Sequence, residues 1–172
     1  MRIHIIGNSG SGKSSLAEQL CTLTSLTHYD LDDVYWDNTA DHYGTKHTAQ
    51  ELDALLTMIL RRDDWIIEGI YDAWITDCLK QADEILLLKT SLMTCKRRVI
   101  HRFIKRKLGI LHDKKESLSS LCTLLSWMNQ YYEINLPRIQ KGLKQYATKV
   151  TILRNQAEID DYLNTFKAKT GS

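Results

Sequence analysis

Arg2-Ile3-His4-Ile5-Ile6-Gly7-Asn8-Ser9-Gly10-Ser11-Gly12-Lys13-Ser14-Ser15 decides the fold of this 172-residue chain. Its first five residues alternate loosely and are rich in β-branched side chains, which predicts a short buried strand ending at Gly7. Leu16, Leu20 and Leu23 recur at helical spacing, so a helix begins near Lys13. Between strand and helix, residues 7–14 satisfy GxxxxGK[ST] at every fixed position, in the context that makes that pattern a phosphate-binding loop. The glycines let successive backbone N–H groups turn inward toward phosphate oxygens, and the helix start adds the positive end of its dipole. Gly7, Asn8, Ser9, Gly10, Ser11, Gly12, Lys13, Ser14 and Ser15 are therefore the candidate nucleotide-binding residues. Lys13 supplies a point charge for the β and γ phosphates and Ser14 a hydroxyl ligand for Mg²⁺.

Working outward, a second strand is expected over Thr27 to Asp30, followed by an acidic and aromatic stretch, Asp30-Leu31-Asp32-Asp33-Val34-Tyr35-Trp36-Asp37. Residues Asn38 to His47 are polar and read as loop. Thr48 with Glu51 three positions on is a capping box, opening a helix whose apolar face is Leu52, Leu55, Leu56, Ile59 and Leu60 and which stops near Asp63. Trp65-Ile66-Ile67-Glu68-Gly69 and Glu84-Ile85-Leu86-Leu87-Leu88 are a third and a fourth strand, the latter almost continuously apolar as buried parallel strands are. Residues 91–107 are helical, with Leu92, Val99, Phe103 and Ile104 inward, and the helix breaks at Gly109. A long helical stretch over 117–145 keeps Leu118, Leu121, Leu125, Met128 and Tyr132 in phase, with a kink or restart at Pro137. Lys149 to Leu153 is a fifth strand and Ala157 to Lys167 a last helix. Strands alternating with helices imply an α/β fold with a parallel sheet covered on both faces.

Composition narrows the function. With 43% hydrophobic and 26% charged residues the chain is ordinary for one globular domain. No window approaches the roughly 20 apolar residues of a membrane span, and the apolar start is too short for a signal peptide, so a cytoplasmic protein without membrane partners is expected. Cys21, Cys78, Cys95 and Cys122 form no CxxC pair and the six histidines no HExxH pair, which argues against zinc and for reduced, mostly buried thiols. The net charge of +2 hides segregation: residues 27–84 carry 14 acidic and 4 basic side chains, a net −10, and residues 89–115 carry 10 basic and 1 acidic, a net +9.

Phosphoryl transfer is carried by positioning and electrostatics, so a metal-holding carboxylate, a group facing the acceptor and arginines for the transition state are needed. Ligands of open α/β sheets sit at the carboxyl ends of the strands, where Asp30, Asp32 and Glu68 should project toward the loop. Ser14, Asp30 and Glu68 are the candidate Mg²⁺ ligands, partly through water, and Asp32 the carboxylate for the attacking group. Arg98, Arg102 and Arg106 repeat every four residues and share a helix face suited to closing on polyphosphate. Arg138 is a further, weaker candidate. The catalytic set is Lys13, Asp32, Arg98, Arg102 and Arg138. Tyr35, Trp36, Tyr71 and Trp74 are candidate aromatic walls, and Asp32, Trp36, Glu68, Gly69 and Tyr71 the candidate acceptor-binding set.

With these residues assembled, the chain resembles P-loop kinases of the nucleoside monophosphate kinase type, adenylate kinase among them, over nearly its whole length. Residues 65–69 resemble their apolar strand ending in Asp-Gly, and residues 82–88 followed by Arg98 and Arg102 resemble their fourth strand and first lid arginines. The chain resembles more closely a bacterial group of small P-loop proteins labelled DNA topology modulation proteins, through Leu31-Asp32-Asp33-Val34-Tyr35-Trp36 and Gly69-Ile70-Tyr71. Asp30-Leu31-Asp32 is also similar to the Asp-x-Asp of shikimate kinase-like enzymes, where one carboxylate serves the metal and the other a substrate hydroxyl. The resemblance implies a three-layer P-loop NTPase fold with a five-stranded parallel sheet in the order 2-3-1-4-5. It also implies one domain over 1–172 with a helical lid within 91–145, ATP as phosphate donor with Mg²⁺, and adenine contacts from Arg102 and Arg154 to Gln156.

Departures from adenylate kinases shape the expected acceptor. Ile70-Tyr71-Asp72 stands where those enzymes place an aromatic, a proline and an arginine, and no arginine lies between Asp30 and Gln50. An acidic pocket repels a nucleoside monophosphate, so a hydroxyl-bearing or cationic small molecule is the expected acceptor. The expected function is thus an ATP-dependent small-molecule kinase, monomeric or weakly dimeric. An adenylate kinase-like nucleotide kinase is the alternative. A regulatory P-loop ATPase touching DNA through residues 96–107 is the second, with DNA the less favoured partner.

Overall fold

In a computed structural model, which describes residues 1–35, 46–69, 75–111 and 117–170, five parallel strands form one sheet. The strands are β1 (Arg2–Gly7), β2 (His28–Asp30), β3 (Trp65–Glu68), β4 (Glu84–Leu88) and β5 (Val150–Leu153), in the spatial order β2-β3-β1-β4-β5. This is the α/β architecture and the strand order expected from the sequence. The helices are α1 (Lys13–Leu23), α2 (Leu31–Tyr35), α3 (Ala49–Leu60), α4 (Ile75–Gln81), α5 (Leu92–Lys107), α6 (Leu118–Gln130), α7 (Leu136–Leu143) and α8 (Gln156–Thr170).

Alternation along the central strands sorts the core into two layers. Ile3, Ile5, Ile66, Leu86 and Leu88 face Leu16 and Leu20 of α1 and Ile159, Leu163 and Phe166 of α8. Ile6, Trp65, Ile67, Ile85 and Leu87 face the other way, toward Leu52, Leu56 and Ile59 of α3 and, farther along the chain, Tyr131, Leu136 and Leu143. The same pleat decides where the polar residues go. Asp30 is the register partner of Glu68, and His28 that of Ile66, so all three project to the α1 side at one end of the sheet. Thr48 and Glu51 cap α3 reciprocally, as their spacing predicts.

Several local expectations change. Leu31–Tyr35, read as an acidic and aromatic stretch, is the short helix α2, with Leu31 fully buried. Ile104 is 47% exposed and Leu118 68% exposed, although both fall in phase with buried neighbours. Of the cysteines, Cys78 and Cys95 are buried and Cys122 is exposed. The stretch 117–145 is not one α-helix: α6 passes through a π-helical turn, Tyr131–Asn135, into α7, and a 3₁₀ segment, Lys144–Lys149, leads into β5. Pro137 explains the break, because it has no N–H for the carbonyl four residues back and its ring crowds that carbonyl; a wider turn just ahead relieves both.

His4 lies at the centre of β1, fully buried, between its register partners Ile67 and Ile85. Burial holds its imidazole pKa down at about 4. An unfolded chain takes up that proton below about pH 6.5, while the folded protein refuses it until about 4, so stability present at neutral pH is lost as pH falls through this window. The loss attributable to His4 should be on the order of 3 kcal/mol. Urea melts at pH 7 and pH 4.5 on the wild type and on His4→Leu check it: the variant should show the smaller acid destabilisation, and equal slopes would refute the assignment.

Candidate functional site

A cleft of about 910 Å³ opens at the carboxyl end of the sheet. The phosphate loop forms its floor. Gly10 has φ +74°, and a Cβ there would stand 2.6 Å from the Cys95 carbonyl oxygen of α5, so only glycine lets loop and helix approach. Turning the loop's N–H groups inward turns its carbonyls outward, and three of them are met by donors, two of these carbonyls by side chains from outside the loop. The Ser11 carbonyl accepts from Thr90 Oγ1 at 3.1 Å and from Arg98 Nη1 at 3.0 Å. Arg98 Nη1 also reaches the Gly10 carbonyl at 3.4 Å. The Asn8 carbonyl accepts from Ser11 N at 3.1 Å, with Lys13 Nζ 3.5 Å away. Asn8 Nδ2 in turn donates to the Met128 carbonyl at 3.2 Å, which fastens the loop to α6.

One wall carries carboxylates. Asp30, Asp32, Glu68 and Gly69 line it, with Asp32 at the start of α2 and Gly69 just past β3. Gly69 has φ +130° and would push a Cβ to 2.8 Å from that of Leu31, so a larger residue would shift α2 and the carboxylates it carries. His28 Nε2 lies 2.9 Å from Glu68 Oε1. That hydrogen bond raises the imidazole pKa above its usual value. Burial pushes the Glu68 carboxyl up, but the His28 bond together with nearby Lys13 and Ser14 outweighs it and leaves the group below its usual range. Glu68 is 1% exposed, and its Oε2 has no hydrogen-bond partner among the described residues. Asp30 behaves oppositely. Burial raises its pKa to about 6, with the neighbouring charges of Asp32 and Glu68 adding, while the Asp32 N–H and Lys13 pull the other way.

The opposite wall comes from α5 and the helix after it. Arg98, Val99, Arg102 and Arg106 line it from α5, and Leu124, Trp127, Met128, Gln130, Tyr131 and Asn135 from α6 and the π turn. Val99 and Met128 pack on Cys95 beneath this surface and hold the two helices together.

The structure thus brings Lys13, Ser14, Asp30, Asp32, Glu68, Gly69, Arg98 and Arg102 to one cleft. It does not bring Arg138 or Arg154 there. Arg138 is exposed on α7, and Arg154 bonds Glu158 Oε2 through its own N–H at 2.9 Å and Nη1 at 3.3 Å, in the cap of α8. Gln156, beside it, does line a smaller depression of about 250 Å³ with Gly12, Ser15, Gln19 and Arg98. Tyr35 packs against the core and does not line the cleft. Trp36, Tyr71 and Trp74 lie outside the described residues. Sequence reasoning missed His28, Thr90, Trp127, Tyr131 and Asn135. An aromatic pair four apart, Trp127 and Tyr131, was the one available signal, and it reads equally as core.

Among the described residues no three His, Cys, Asp or Glu side chains form a group able to hold an ion unaided. The oxygen donors suit Mg²⁺ nonetheless, because that ion keeps several waters and takes one or two carboxylates together with phosphate oxygens. Ser14, Asp30 and the unpaired Glu68 Oε2 fit this pattern of hard ligands.

No protein-family model matches the chain. A Bacillus subtilis (strain 168) protein described as "Uncharacterized protein YqaC" is 28% identical over 145 residues, which span 84% of this chain and 80% of that one. Among solved structures, TT1252 from Thermus thermophilus matches with a TM-score of 0.57 at 19% identity, covering 98% of this chain and 97% of its own. Shikimate kinase from Acinetobacter baumannii, in complex with shikimate, matches with a TM-score of 0.58 at 18% identity, covering 96% and 89%. The chain has the fold of the P-loop kinases.

Asp30 provides a direct check on the carboxylate wall. In ligand-free protein its carboxyl should titrate near pH 6 by ¹³C NMR, and Asp32→Asn should lower that value by removing a neighbouring negative charge. A titration at the ordinary aspartate value of about 3.9 would mean that the carboxyl is solvated, not buried at the cleft.

Proposed function

We propose that this protein is a Mg²⁺-dependent, ATP-using phosphotransferase whose acceptor is a small molecule bearing a hydroxyl. The observation that carries the reading is the division of one cleft: a phosphate loop on its floor, three carboxylates on one wall and three arginines on the other. Such a division matches what phosphoryl transfer asks of a protein, which is to hold polyphosphate from one side and an uncharged nucleophile from the other.

In this reading the loop N–H groups and Lys13 bind the β and γ phosphates, and Gly12, Ser15, Gln19 and Gln156 border the donor's nucleoside. Ser14, with Asp30 and Glu68, would hold Mg²⁺, which would supply neutralisation of phosphate charge. Asp32 accepts the hydroxyl proton as the acceptor oxygen bonds to the γ-phosphorus, and the bond from that phosphorus to the bridging oxygen of ADP breaks. Arg102 and Arg106 lie where they can meet the charge spread over the transferring oxygens. Arg98 acts differently, since its guanidinium holds the Gly10 and Ser11 carbonyls and so keeps the loop in its binding shape. His28 orients Glu68 from behind. A helical lid within residues 91–145 carries the arginine face over the loop and excludes water. Hydroxyl-bearing acceptors are favoured over nucleoside monophosphates because Asp32 would repel a second phosphate and no arginine lies between Asp30 and Gln50 to hold one.

³¹P NMR of the purified protein with Mg²⁺ and ATP, first alone, then with AMP, then with a panel of hydroxylated metabolites, tests the proposal. A new phosphomonoester signal with a panel member is the expected result. Rapid ADP formation from AMP would replace this acceptor class with a nucleotide, and ATP hydrolysis with no acceptor product would make the protein an ATPase. Lys13→Ala should abolish turnover and weaken ATP, whereas Asp32→Asn should remove acceptor phosphorylation and spare ATP affinity. Arg102→Ala should lower kcat by up to about 10³ with little change in the ATP dissociation constant, since its charge partner develops in the transition state. A change in KM alone would limit Arg102 to ground-state binding.

A further inference from the structure

We propose that the acceptor carries a flat ring, stacked on Trp127, beside the hydroxyl that is phosphorylated: a neutral or cationic planar-ring alcohol without a phosphate of its own. This rests on the kinase reading above and names the class of substrate for the same cleft.

The first observation is the placement of Trp127. Of the exposed large apolar side chains among the described residues, it alone lines the cleft. It is 62% exposed, while its neighbour Met128 is fully buried and anchored through its carbonyl to Asn8 of the phosphate loop. The backbone beneath the indole is therefore fixed relative to the transferring phosphate. A large aromatic face left open in a concave site, rather than on an outer helix surface, is an anchor for a ring.

The second observation is Tyr131, one turn further on. Its side chain is 7% exposed, and its hydroxyl is buried with no hydrogen-bond partner among the described residues. Burial pushes the phenol pKa well up, so the group is a protonated donor at neutral pH. Tyr131 lines the cleft while its hydroxyl is enclosed in the core, so what it offers a ligand is apolar ring surface beside Trp127. Leu124, Trp127, Tyr131 and Asn135 are spaced by three, four and four residues and all line the cleft, so they form one strip along α6 and the π turn. A π turn widens the helical repeat to more than four residues, which keeps Tyr131 and Asn135 aligned with Trp127. The strip offers an aromatic face, apolar ring surface and an amide in series, a pattern suited to a ring with a polar edge atom.

Charge fixes the remaining property. The cleft's cations are Lys13 on the floor and Arg98, Arg102 and Arg106 on α5, all on the polyphosphate side. Asp30, Asp32 and Glu68 line the same cleft from the sheet side, where Lys13 is the cation that acts on Asp30 and Glu68. A ring with an anionic substituent would meet the Asp32 carboxylate on the acceptor side, whereas a neutral or cationic one meets none of that repulsion.

The test loads the donor site with saturating Mg²⁺ and ADP, then measures binding of adenosine, cytidine and uridine as planar-ring alcohols. Shikimate and glycerol serve as non-planar alcohols and AMP as the phosphorylated counterpart, each by calorimetry and saturation-transfer NMR. Wild type should bind at least one nucleoside tenfold or more tightly than shikimate, glycerol or AMP, with saturation strongest on the base protons. Trp127→Ala should weaken that binding at least tenfold, Trp127→Phe should retain most of it, and both should bind Mg²⁺ and ADP as wild type does. Unchanged nucleoside affinity in Trp127→Ala, no nucleoside binding to the loaded wild type, or equal binding of the non-planar alcohols would each overturn the inference. Failure of the wild type to bind Mg²⁺ and ATP at all would instead remove the kinase reading on which it stands.

Discussion

A phosphate loop turns its N–H groups to the ligand and, by the same rotation, its carbonyls into the protein. Those carbonyls need donors, because an unpaired buried carbonyl costs on the order of 1–3 kcal/mol. Here Thr90, Arg98 and Ser11 supply them, and Asn8 returns a hydrogen bond to the Met128 carbonyl. The consequence reaches far beyond the loop. Thr90 fixes the turn after β4, Arg98 fixes α5, and Asn8 fixes the end of α6, so satisfying the loop places the whole arginine and aromatic wall. Gly10 permits it, since its missing Cβ is where the Cys95 carbonyl stands.

The sheet fixes the other wall by a different constraint. Parallel register sets Asp30 beside Glu68 and His28 beside Ile66, and the pleat sends all three side chains toward the start of α1. Carboxylates crowded at one strand end repel one another, and each is settled differently. Glu68 gains the His28 hydrogen bond, which holds its pKa down, while Asp30, half-buried beside two acids, has its pKa raised to about 6. The cleft is therefore built to receive positive charge on the carboxylate side and negative charge on the arginine side. Three acidic residues of the segment of net −10 and three arginines of the segment of net +9 line this one opening.

Some of this was legible before any coordinates. Residues 7–14 carry the loop, Arg98, Arg102 and Arg106 announce a common helix face, Asp32 follows the second strand and Glu68 ends the third, so most of one end of the cleft could be named. Arg138 and Arg154 misled because an arginine near the right element says nothing of direction: one lies exposed on α7 and the other is held in a helix cap by Glu158. Trp127 and Tyr131 escaped for the opposite reason. Their spacing is that of any buried helix face, and nothing local distinguishes a core aromatic from one lining a cleft.

The sequence by itself determined what depends on neighbours within a few turns of chain: the strand, loop and helix around the phosphate motif, the capping box of α3, the five strands and the α/β class. These follow from periods of 2 and 3.6 residues and from the conformations that glycine and proline allow. Only the tertiary structure decided which side chains meet across 40, 79 or 120 residues, as His28 meets Glu68, Thr90 meets Ser11, and Asn8 meets Met128. Such contacts are set by strand order, helix packing and a π turn forced near Pro137, and periodicity, which fixes a side chain's phase on its own element, is silent about what that element faces.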